Sequence, residues 1–154
     1  MSWDEFLVGN YSVGSASRVI AHRVVERSRD ALAFRQHQFF ARRLKAKNAW
    51  RAYPAFKDSC AFLDIETSGG ANGASDITVV GVWDSKEFHV LVEGEDLGNF
   101  PDLISRYSMI VTFFGTGFDI PVLQKRFKNF VFDQIHFDLC PALRSVGVTG
   151  GLKR

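Results

Sequence analysis

Apolar residues recur at two different periods along this chain, and the change falls near residue 57. Between about 17 and 50, Val25, Leu32 and Phe39 stand seven apart, with Val24, Phe40 and Leu44 close to the same stripe. That spacing predicts helix, flanked mostly by Arg35, Arg42, Arg43, Lys45 and Lys47. Ser28 and Asp30 are candidate caps that would divide the helix in two, and Pro54 ends it in either case. After Lys57 the pattern becomes strand-like, beginning with the run Ala61 to Ile65. A Gly/Ser/Asn-rich loop, Ser68 to Ser75, breaks the chain. Ile77 to Trp83 and Glu87 to Val92 then read as strands joined through Asp84-Ser85-Lys86, short enough for an antiparallel hairpin. Asp96 to Tyr107 reads as helix and Met109 to Phe114 as strand. Phe118 to Phe127 reads as a helix with Pro121 in its first turn, and Ile135 to Leu139 as a short last strand before a helical turn. The order β-β-β-α-β-α-β predicts an α/β fold in which an antiparallel three-stranded meander precedes α/β crossovers in one mixed sheet.

Composition narrows the class. A chain of 154 residues accommodates one domain with a real core and at most a small appendage. The hydrophobic fraction of 46% and 15 Phe exclude wholesale disorder. Cys60 and Cys140 are too few for a disulfide framework and lack metal-ligand spacing, which points to buried, reduced thiols. No apolar run reaches membrane-spanning length, and Met-Ser-Trp-Asp-Glu lacks the basic start of a secretory signal, so the expectation is a soluble cytoplasmic protein. Charge is divided along the chain. Residues 1–57 carry eleven Lys and Arg against four Asp and Glu, a balance of +7, whereas 58–154 carry eight against thirteen, a balance of −5. A basic helical arm over 1–57 and an acidic body over 58–154 suit a metal-dependent enzyme acting on a polyanion. The ordinary alternative is an amphipathic helix with a solvated basic face.

The chemistry concentrates in Cys60-Ala-Phe-Leu-Asp-Ile-Glu-Thr67, where Asp64 and Glu66 stand two apart in a strand and therefore share a face. No Lys or Arg lies within the run to offset them, and a divalent cation would. Taken alone, Asp-x-Glu is a common pair. Phe118-Asp119-Ile120-Pro121 adds a third acid where a strand and a Gly115-Thr116-Gly117 loop meet a helix, although Asp before a Pro-containing first turn is also ordinary N-capping. Trp50, Tyr53 and Phe56, interleaved with Arg51 and Lys57, read either as a base-stacking, phosphate-binding stretch or as a packing hinge.

Phe62-Leu63-Asp64-Ile65-Glu66-Thr67 resembles the first motif of the DEDD 3′–5′ exonucleases, and Thr112-Phe113-Phe114-Gly115-Thr116-Gly117-Phe118-Asp119-Ile120-Pro121 resembles their second. With Phe137-Asp138-Leu139 and Gly150-Gly151-Leu152-Lys153, the ensemble from about residue 50 to 154 is most similar to the YprB-like group of predicted exonucleases with an RNase H-like fold. The resemblance implies Asp64, Glu66 and Asp119 as catalytic metal ligands, with two Mg²⁺ or Mn²⁺ ions straddling the scissile phosphate and a nucleoside monophosphate as product. It further suggests Thr67, Ser68, Gly115 and Phe118 as substrate contacts, with single-stranded DNA or RNA as partner. Relatives commonly carry Asn where Phe114 stands. The family's third motif, a Tyr or His shortly before a last Asp, is expected on a helix beyond Arg154, which would leave the exonuclease domain over 58–154 C-terminally incomplete. His136 and Asp138 lack the helical spacing to replace it. Two functions are consistent with these features: a metal-dependent 3′–5′ exonuclease, or a nucleic-acid-binding module that keeps the fold without turnover. A phosphatase-like hydrolase with Asp64 as nucleophile fits less well, because such enzymes normally use a parallel sheet.

Overall fold

Alternation along five short segments builds one sheet in the computed structural model, which describes residues 15–69 and 76–151. The strands are Cys60–Thr67 (β1), Ile77–Trp83 (β2), Phe88–Val92 (β3), Met109–Thr112 (β4) and Ile135–Asp138 (β5), in the order β3-β2-β1-β4-β5. β1 pairs antiparallel with β2 and β2 with β3, while β4 runs parallel to β1 and β5 to β4. The expected meander and crossovers are both present. The hairpin between β2 and β3 is closed by Asp84, whose Oδ1 accepts the Lys86 and Glu87 amides at 3.0 and 2.9 Å. Its Oδ2 accepts the Tyr107 hydroxyl at 3.0 Å.

Parity assigns each strand residue to a face. Ala61, Leu63, Ile65, Val80, Val82, Leu91 and Ile110 point to one side. There they pack against Phe100–Ile104 (α4) and Asp119–Arg126 (α5), with Phe100, Ile104 and Leu123 wholly buried. Cys60, Met109, Val111 and Ile135 point to the other side, where Ala49, Ala52 and Phe56 from the N-terminal region complete a second cluster. Among the described residues that cover reaches β4, β5 and the start of β1. On the β1–β3 half of the same face, Trp83, Phe88 and Val90 remain exposed.

The N-terminal region is not one helix capped midway by Ser28 or Asp30. Ser15–Ala33 (α1) runs through both, Ser28 donating to the Val24 carbonyl at 2.7 Å inside it. The chain turns at Arg35, whose φ of 53° lies in the left-handed region. Its amide donates to the Leu32 carbonyl at 3.1 Å and that of Gln36 to the Ala31 carbonyl at 2.8 Å, the paired bonds that commonly stop a helix at a glycine. The predicted stripe is buried only in part: Val25 is buried, whereas Val24 and Leu32 of the same helix are exposed. His37–Ala41 (α2), the 3₁₀ segment Ala46–Ala52 and Tyr53–Phe56 (α3) then lead into β1.

The loop after β4 is held by a buried carboxylate. Asp138 accepts the Phe114 amide at 2.8 Å, the Thr116 amide at 3.0 Å and, as cap of Leu139–Ser145 (α6), the Cys140 amide at 3.0 Å. Such a load of backbone donors holds the Asp138 carboxyl below the usual range despite its burial. Within this loop Phe114 has φ 64°, a conformation in which a Cβ is crowded and Asn is better tolerated than an aromatic. The glycine beside it fits for a different reason: a Cβ on Gly115 would collide with the Thr112 side chain. Because the Phe114 ring is half exposed, little burial is lost on replacing it. Phe114→Asn is therefore expected to raise the unfolding free energy by about 1 kcal/mol in urea denaturation; a lower value would show that the ring's contact with Gly117 outweighs the backbone strain.

Candidate functional site

β1 outruns its parallel neighbour. Its pairing with β4 ends at Phe62 and Val111, yet the strand continues to Thr67, leaving a split between β1 and the chain leaving β4. Asp64 and Glu66 stand in this extension, both exposed and on the face that carries Cys60 and Phe62. Beside them the open half of that face forms a groove with Phe62, Trp83, Phe88 and Leu143 among its walls. Gly81 lets the Phe88 ring lie across the sheet, since a Cβ there would meet that ring at 3.4 Å.

Asp119 arrives from the opposite layer. It is the first residue of α5, and only 3% of its surface is accessible. The helix cap is Phe118, with no side-chain cap bond, so Asp119 is not performing the capping role its position allows. Its own amide and that of Ile65, on the extension of β1, lie close enough to favour the charged carboxylate. Burial pushes its pKa up to about 6, these amides pull it down, and the charges of Asp64 and Asp138 add to the rise. Asp64 and Asp119 are thus brought within electrostatic reach of each other although they come from different layers.

The remaining sequence candidates divide. Thr67 ends β1 beside Glu66, half buried, and Ser68 comes next, exposed, its amide bonded to the Asp76 carbonyl at 2.9 Å. Gly115 is buried against Thr112, so its surface is spent on packing, while Phe118 is 39% exposed at the mouth of the loop. His136 is hydrogen-bonded to the Thr112 hydroxyl at 2.9 Å, and burial depresses its pKa. Asp138 is committed to the loop clamp. That positioning function is not apparent from the sequence, although Asp138 three residues before Pro141 is an ordinary helix-start signal. Cys60 and Cys140 are both buried and free, and burial pushes the Cys60 thiol up to about 12, far from any nucleophilic role. Gly70 to Ser75 and Leu152 to Lys153 lie outside the described residues.

A divalent ion can be tested against these donors. Among the described residues no three His, Cys, Asp or Glu side chains close into a metal-holding group. Asp64 and Asp119 nevertheless form an all-oxygen pair; burial is the main cause of the raised Asp119 pKa, and the nearby Asp64 charge adds to it. Mg²⁺ commonly takes only one or two protein carboxylates and completes its shell with water and substrate phosphate, so a pair suits it. The burial of Asp119 makes stability pH-dependent in the protein without divalent ions. Because the folded pKa of Asp119 exceeds its unfolded value, this group favours folding fully below about pH 4, and the contribution is lost as pH rises through about 6. Relative to Asp119→Asn, wild-type stability in EDTA should fall by on the order of 2–3 kcal/mol between about pH 4 and pH 7. Parallel curves from urea denaturation would contradict the assignment.

No curated protein matches the chain. A solved structure, the EXO domain of Nibbler from Aedes aegypti, superposes with a TM-score of 0.47 at 13% identity, covering 64% of this chain and 52% of that one. The chain thus spans about half the length of that domain. Among the described residues no helix is long and apolar enough to cross a membrane. The family model of the RNase H superfamily matches residues 61–154, more than half of the sequence and the whole of the sheet but its first residue, and the chain belongs to that superfamily.

Proposed function

We propose that the protein is a metal-dependent 3′–5′ exonuclease of the DEDD type, akin to the YprB-like group, that hydrolyses phosphodiester bonds of single-stranded DNA or RNA. The observation that carries this reading is the approach of buried Asp119 to Asp64 across the split at the end of β1. Asp64 and Asp119, with Glu66 on the same strand face as Asp64, would hold Mg²⁺ or Mn²⁺. Two such ions, when bound, would supply an activated water and stabilise the leaving 3′ oxygen. The chain's own residues do the rest. The Asp138 clamp fixes the Phe114–Thr116 loop and hence the start of α5, and the nearby Ile65 amide favours the charged form of the Asp119 carboxylate. Phe62, Trp83 and Phe88 offer aromatic walls to a nucleobase beside the carboxylates, and Thr67, Ser68 and Phe118 border the same end of β1 and α5. The free thiols suit the reducing cytoplasm expected for such an enzyme.

A second reading has one observation in its favour: no three-ligand group closes among the described residues. In that case the chain is a nucleic-acid-binding module without turnover. End-labelled single-stranded oligonucleotides incubated with Mg²⁺ or Mn²⁺ separate the two. Stepwise shortening from the 3′ end is expected, falling by more than about 100-fold in Asp64→Ala. Cuts within strands whose ends are blocked would indicate an endonuclease instead, and salt-sensitive binding with no product under either ion would leave the binding module.

A further inference from the structure

The 3₁₀ segment Ala46–Ala52 and the residues around it carry a surface that the candidate site does not use. A 3₁₀ helix repeats every three residues, so side chains at i and i+3 stack in rows. One row, Ala49 and Ala52, is buried at 3% and 7% exposure and seals the arm onto the sheet. The next row is Lys47, Trp50 and Tyr53, and it faces solvent, with Trp50 47% and Tyr53 37% exposed. Phe56, by contrast, is buried, so only the last of the three aromatics packs as a hinge. The Arg51 guanidinium lies 4.9 Å from the Trp50 ring centre, which stiffens both groups into a cationic, flat-faced pair.

Charge around this ridge has one sign. No Asp or Glu occurs from residue 31 to 57, and Arg42, Arg43, Lys45, Lys47 and Arg51 are all exposed. Among the described residues none of these five pairs with a carboxylate; Asp133, which approaches the arm, is taken by His37 and Gln38 at 3.5 and 3.0 Å. Like charges held together on a small surface repel unless a polyanion lies over them. A row of two aromatics about 6 Å apart, from three residues at the 3₁₀ rise, matches neighbouring bases of an unpaired strand. An acidic peptide would satisfy the cations and leave the rings without partners.

We infer that the Lys47–Trp50–Tyr53 ridge, with Arg42, Arg43, Lys45 and Arg51, is an accessory binding surface for single-stranded nucleic acid, on which bases stack while the cations meet phosphates. It rests on the nucleic-acid substrate proposed for the groove, and it assigns the hold on the strand to the arm as well. The arm sits on the β4 and β5 half of the sheet face whose β1 half bears Asp64 and Glu66.

Fluorescence anisotropy of a labelled 20-nucleotide oligo-dT, measured with the full chain in EDTA, tests the inference without turnover. Trp50→Ala/Tyr53→Ala should weaken binding by about 10- to 100-fold, Trp50→Phe should restore most of its share, and Lys47→Glu/Arg51→Glu should lower the slope of log affinity against log salt. Wild-type duplex of equal length should bind more weakly, and polyglutamate should not displace the strand. Unchanged affinity in the double alanine variant, with its circular dichroism intact, would overturn the inference, as would equal binding of duplex or displacement by polyglutamate. Failure of the nuclease reading shows separately, as absence of wild-type product with Mg²⁺ or Mn²⁺ while the ridge variants still lose binding.

Discussion

Two carboxylates from opposite layers of the molecule, Asp64 and Asp119, come within electrostatic reach of each other at the end of β1, one of them buried. Folding normally keeps such groups apart, because burying one carboxylate near another raises the free energy of the charged state. Here the fold gains from the arrangement only if the pair is later shared with a cation or a proton. The raised pKa of Asp119 and the proposed metal chemistry are two expressions of this constraint.

The surrounding structure is organised to sustain the approach. Early termination of the β1–β4 ladder opens the split, and the Ile65 amide on the extended strand lies close enough to favour the charged Asp119 carboxylate. On the far side, Asp138 gathers three backbone amides from the loop after β4 and from α6, which fixes where α5 begins. A conformation that suits glycine or asparagine is imposed on Phe114 by that clamp. Stability and positioning are thus opposed at Phe114 and joined at Asp138.

The sheet was legible because its signals are local: alternation in Ala61 to Ile65, the Asp84-Ser85-Lys86 turn and the change of period near Lys57 all depend on neighbouring residues. The shared face of Asp64 and Glu66 came from the same alternation. Features that resisted reading depended on contacts between distant segments. The break at Arg35 uses a non-glycine residue in a glycine conformation and an Arg35 side chain bonded to the Ala55 carbonyl at 2.8 Å, neither of which leaves a local mark. Asp138 looked like a weak catalytic candidate because its amide partners, Phe114 and Thr116, lie more than twenty residues before it. The burial of Asp119, as opposed to its place at a helix start, likewise required the layers to be assembled.

Whether the Asp64 and Asp119 pair takes up a divalent ion is decided most directly by titrating the protein with Mn²⁺ and monitoring the free ion by electron paramagnetic resonance. Wild-type protein should sequester Mn²⁺, with Asp64→Asn and Asp119→Asn each weakening that uptake by more than about 10-fold. Uptake equal to wild type in both variants, or none in the wild type, would contradict a shared ion at this site.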